Sequence, residues 1–168
     1  MAINPYLLIK FIHIMSVAVW AFSTTVAYFN YLAPTFTSWE KAPNDPFRKE
    51  RRNWSIEQFD QGTKFEHIAF PTIITTGLLL LWLEHWPIDQ VSWFTVKLMI
   101  VILIFIPMEI MDYYLSHFGG SKVQIRKSGD MERYERMVTF HWKFLQVSAP
   151  LVAIFIPIVY FLAITKPF

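Results

Sequence analysis

The side chains of this chain with chemistry to offer are the ionisable groups set inside long apolar runs. Placing a charge in hydrocarbon costs about 2.5 to 3.5 kcal/mol on insertion scales, so each such group needs a partner or a task. One set centres on His13, with Lys10, Ser16, Trp20 and Thr24 at helical spacings that keep them on one stripe. That stripe is expected to face protein rather than lipid. Lys97 falls at a matching depth on a later run, and His85 lies nearer the surface. A buried imidazole at His13 can ligate haem iron while the ammonium groups of Lys10 and Lys97 meet haem propionates and Trp20 lines the cofactor. The same residues can equally be a packed histidine bonded to a serine or a backbone carbonyl, with the lysines reaching up to the interface.

A second set lies at the other end of the runs. Glu66 and His67 open one run, Glu109 and Asp112 sit three residues apart near the end of the next, and His141 shares an apolar face with Met137, Val138 and Leu145. Three readings are open for this set. His67 and His141 can hold haem from opposite sides. The two histidines with Glu66, Glu109 and Asp112 can bind a divalent transition metal, for which imidazole and carboxylate are suitable donors. Or the carboxylates are paired with loop arginines such as Arg133 and Arg136. His117 reads as a plain interfacial residue, and Asp112, Tyr113, Tyr114 and Trp142 as an interfacial belt that can also stack a quinone or porphyrin. No phosphate-binding glycine loop, nucleophile elbow or Ser/His/Asp arrangement is present.

The elements that must position these groups are transmembrane helices. Of 168 residues 54% are hydrophobic and 18% aromatic, and the mean hydropathy is +0.34, which is more apolar surface than water accepts. A hydrocarbon core of about 30 Å takes roughly 20 helical residues. Four runs meet that length, at residues 6–31, 66–86, 91–115 and 141–165. Backbone groups in lipid have to bond within their own segment, so these are helices. The fold class is therefore all-α, a single four-helix transmembrane bundle over residues 1–168. Pro71, Gly77, Pro107, Pro150 and Pro157 predict kinks or close helix approaches. The first run lacks a basic leader and a small-residue cleavage motif, so it is expected to stay in the protein.

Two longer connections remain, residues 33–64 and 117–138. The first half of the former, with Pro34, Pro43 and Pro46, reads as loop, and the spacing of Ile56, Phe59 and Phe65 predicts a helix from Trp54 onward. Pro87 to Gln90 form a short link that makes the second and third helices antiparallel neighbours. Gly119, Gly120 and Gly129 mark a loop, after which residues 131–143 are amphipathic and extend the fourth helix. Lys41, Arg48, Lys49, Arg51, Arg52, Lys64, Lys122, Arg126, Lys127, Arg133 and Arg136 all fall in these two connections. The positive-inside rule puts both connections in the cytoplasm and both termini outside. It also accounts for the net charge of +2, so nucleic acid is not expected as a partner. With no cysteine in the chain, thiolate chemistry, disulfides and iron–sulfur clusters are excluded.

Several segments carry a family resemblance. Tyr6-Leu7-Leu8-Ile9-Lys10-Phe11-Ile12-His13, then Val17 and Trp20, resemble the first helix of the bacterial membrane-bound, haem-containing protoporphyrinogen oxidase. Pro71 through Thr76-Gly77, Trp93 through Lys97-Leu98, and the last helix from Pro150 to Lys166-Pro167-Phe168 follow in the same order. An uncharacterised family of predicted four-helix membrane proteins is equally similar, above all from Arg133-Tyr134-Glu135-Arg136 to Lys166-Pro167. The oxidase resemblance implies a bacterial inner membrane location, haem b held by His13, a functional Lys97 and, if the chain is an enzyme, an oxidoreductase. It also implies a quinone, a porphyrin or another membrane protein as partner, with self-association or membership of a larger complex open. The chain departs from the oxidase pattern in three places. Ala27, Tyr28, Phe29 and Asn30 stand where an Arg is usual, Thr95 where a His is, and Val147, Ser148 and Ala149 where Asn-Glu precedes the last-helix proline. The alternatives are a non-catalytic subunit or scaffold without cofactor, and a metal-binding or transport protein using the second set.

Overall fold

The computed structural model describes residues 4–85, 92–118 and 121–167. Among them every regular element is a helix. Helix α1 runs Pro5–Glu40 and α2 Pro46–Glu84. Helix α3 joins Ser92–Ile100, Val101–Phe105 and Ile106–His117, the short α4 is Lys122–Lys127, and α5 is Met131–Thr165. Four helices are long and apolar enough to cross a membrane. The link Pro87 to Gln90, the span ends at Trp86 and Val91, and Gly119 and Gly120 lie outside the described residues.

Helix ends follow local chemistry. Asn4, Asp45, Ser121 and Asp130 cap α1, α2, α4 and α5 by accepting backbone N–H groups of the first turn. Pro5 and Pro46 occupy first-turn positions, where a missing N–H costs nothing. Gly129, at φ +83°, makes the turn between α4 and α5 that a side chain would strain.

The expected loop over the first half of residues 33–64 is corrected by the structure, because α1 continues through Ala33–Glu40. Pro34 has no N–H for the carbonyl of Asn30, and just before it the helix widens over Tyr28–Leu32 into a π turn in which the Ala33 N–H donates to the Tyr28 carbonyl. The same device recurs in α3, where the π turn Val101–Phe105 precedes Pro107. Pro71, Pro150 and Pro157 lie inside helices that run on through them. Helix α2 begins at Pro46 rather than Trp54, with a step at Thr63 between Pro46–Gly62 and Lys64–Glu84. The amphipathic residues 131–143 do extend the last helix, as expected.

At about 1.5 Å per residue the 36 residues of α1 measure about 54 Å, well beyond a hydrocarbon core of about 30 Å. The bundle therefore has an apolar section and a polar section. In the former, Leu7, Phe11, Phe22, Leu78, Leu103, Ile154 and Phe161 face outward. Inside it Trp20, Phe70 and Phe105 pack with centroids 5.0 to 5.2 Å apart. In the polar section Tyr28, Phe36, Ile56, Tyr134, Trp142 and Leu145 form a second core. Trp142 is buried there, stacked 4.2 Å from Phe36, so it is not part of an interfacial belt. The start of α1 meets the end of α2 through Tyr6 and Glu84, and Lys166 lies 5.6 Å from the Trp93 ring. Tyr6 and Lys166, near the two ends of the described chain, thus meet the end of α2 and the start of α3.

Candidate functional site

His13 and its stripe lie between α1 and α2. Thr76 is buried, and its hydroxyl donates to the Thr72 carbonyl at 2.5 Å. Its oxygen lies 2.9 Å from His13 Nδ1. With that hydrogen committed, the threonine oxygen accepts from Nδ1–H, so in the neutral ring the tautomer is fixed with the lone pair on Nε2. Gly77 permits the approach, because a Cβ there would stand 3.3 Å from His13 Cε1. Lys97 is half-buried and within electrostatic reach of His13. Lys10 is exposed, 5.6 Å from the Tyr6 ring, so it leaves the stripe that the sequence assigns to it. Trp20 Nε1 donates to Glu109 Oε2 at 2.9 Å, and Thr24 donates to Glu66. Two embedded carboxylates are thereby held by α1.

The second set converges on one carboxylate. His67 Nε2 lies 3.2 Å from Asp112 Oδ2, and His141 Nε2 lies 3.1 Å from Asp112 Oδ1. The other ring nitrogens are also engaged. His67 Nδ1 meets His117 Nε2 at 2.8 Å, and Lys122 Nζ meets His141 Nδ1 at 2.7 Å. Because an ammonium only donates, His141 accepts at Nδ1 and must donate from Nε2 to Asp112. Lys122 also binds both Asp60 oxygens, at 2.7 and 2.8 Å, and the Leu115 carbonyl at 3.2 Å. Lys122 and Asp60 lie in the polar section, where burial pushes the ammonium down and the carboxyl up. Their close pairing offsets that cost.

His67 and His141 therefore share a central anion and do not face each other across a gap. Among the described residues no three His, Asp or Glu side chains are grouped to hold a metal ion. Of the expected arginines, Arg136 turns away from the embedded carboxylates. Arg136 bonds Glu132 on its own helix. Arg52, 1% exposed, binds Glu135 and lies 4.3 Å from the Trp39 ring. Arg126 joins Glu50 and Glu57, and Tyr134 donates to Glu57 at 3.0 Å.

Reading the sequence misses Arg52, Glu57, Asp60, Lys122 and the His117 contact. A signal exists for Arg52, since Arg52, Ile56, Phe59, Thr63 and Glu66 recur at three and four and are all buried. None exists for Lys122, whose partner is 62 positions away. The chain matches no family model, no curated protein and no solved structure.

Proposed function

We propose that this chain is a small integral membrane redox protein that binds haem b through His13. It sits in a bacterial inner membrane with both termini outside, and exchanges electrons with a quinone, a porphyrin or a membrane protein partner. The observation that carries the reading is the His13 to Thr76 hydrogen bond at 2.9 Å, which engages Nδ1 and in the neutral ring puts on Nε2 the lone pair that iron requires. The donor set fits the group. Lys97 stands near the imidazole to balance a propionate, with Lys10 at the mouth of the same end. Haem supplies one-electron chemistry when bound. The protein's part is to hold the imidazole in one tautomer, to keep water out with Trp20, Phe70 and Phe105, and to set the local charge through Glu109.

The test is the visible spectrum of detergent-purified protein, oxidised and reduced. A Soret band that His13→Ala abolishes supports the assignment. Absence of the band after haem supplementation, or a band indifferent to His13→Ala, removes it.

A second reading is a non-catalytic subunit or scaffold. It is favoured by the way Asp60 with Lys122 and Arg52 with Glu135 tie helices α2, α4 and α5 together. Co-purification with larger partners, with no cofactor and with tolerance of His13→Ala, would favour it over the first.

A further inference from the structure

We infer that His67 and His117 form a proton-sharing imidazole pair, backed by Asp112, that takes up and releases one proton at the edge of the bundle. This goes beyond the haem proposal and does not depend on it. The geometry supplies each link. His117 is half-buried and is the open end. Its Nε2 lies 2.8 Å from His67 Nδ1, and the far nitrogen of His67 lies 3.2 Å from an Asp112 oxygen. The His67 side chain is only 5% exposed, so its proton traffic has to pass through a neighbour. Asp112 is held in place from its other side by His141, which is itself fixed by Lys122.

The proton balance is simple. A proton from solvent binds His117 Nδ1, the His117 Nε2–H bond breaks, and a new N–H bond forms at His67 Nδ1. His117 is neutral again, in its other tautomer. His67 becomes an imidazolium whose two N–H groups donate to Asp112 and to His117, so both are satisfied. Release runs the same path in reverse.

The groups facing the pair favour this division of roles. Around His67 stand Asp112 and Glu109 from α3 and Glu66 from its own helix, all able to hold a positive charge there. Around His117 stand Lys64 from α2 and Lys122 from α4, with Asp112 of its own helix acting on it in the opposite sense. Tyr113 packs its ring on both imidazoles, with centroids 5.0 and 5.1 Å away, and His141 from α5 closes the far side of Asp112. The proton rests on His67 and leaves by His117. Since Glu109 also accepts from Trp20, the pair can add or withdraw a positive charge beside the embedded carboxylates with no helix moving.

The test is imidazole nitrogen NMR of the full chain in detergent, with labelled histidine, across a pH series. Expected is a single shared step for His67 and His117. In Asp112→Asn the midpoint should fall by at least about one pH unit, since the charge that retains the proton is gone. His117→Gln keeps a hydrogen bond but offers no second ring nitrogen. Exchange of the His67 N–H should then slow by about tenfold or more, because it must wait for local opening. Backbone amide spectra report that each variant is folded, and if Asp112→Asn is not, His117→Gln decides the matter alone. Independent titration of the two histidines, an unmoved midpoint in folded Asp112→Asn, or unchanged His67 exchange in His117→Gln would overturn the inference.

Discussion

His13 and Thr76, 63 positions apart in the chain, meet through Nδ1 and a threonine oxygen whose own hydrogen is already given to the Thr72 carbonyl. The consequence is an imidazole whose Nδ1 is committed to the threonine, so that in the neutral ring the lone pair falls to Nε2. Thr76→Val keeps the volume and removes the acceptor. Haem affinity, read from the Soret band during haemin titration, should fall about 10- to 100-fold, as for other lost partners of a ligating histidine. Thr76→Ser should restore it.

Gly77→Ala sets two effects against each other. Alanine favours the helix by about 1 kcal/mol, while its methyl would crowd His13 Cε1 at 3.3 Å. The substitution should raise the unfolding midpoint in a His13→Ala background and not in the parent. A double-mutant cycle in detergent should return a coupling of about 1 kcal/mol between the two positions.

Lys122→Met leaves Asp60 buried without its cation, and the loss should be about 3 to 5 kcal/mol. Replacing both, as Lys122→Met with Asp60→Leu, should recover most of it. Chemical unfolding followed by circular dichroism measures both variants, and a small single-variant effect would mean that water reaches the pair.

Trp142→Ala should cost about 3 to 5 kcal/mol, because it empties the space between Phe36 and Tyr28. Trp142→Phe should cost less, losing mainly the 3.3 Å bond to Glu40. Since the ring is buried in the polar section, its fluorescence should resist quenching by brominated lipid, which an interfacial ring would not.

Sequence by itself determined the four long apolar helices, the amphipathic start of α5, and the positions of the ionisable groups set among apolar neighbours: His13, Glu66, His67, Glu109, Asp112 and His141. Those features are local, since hydropathy over one helix length and spacing along one helix face are properties of neighbouring residues. Tertiary structure alone decided which group meets which. That His67 and His141 converge on Asp112, that Lys122 closes on Asp60, and that Trp142 turns into a core depend on contacts between residues tens of positions apart. It also decided that α1 continues past Pro34, by way of a π turn in the residues just before the proline. The spacing along one helix fixes which side chains share a face, but the angle and depth at which two helices cross fix what that face touches.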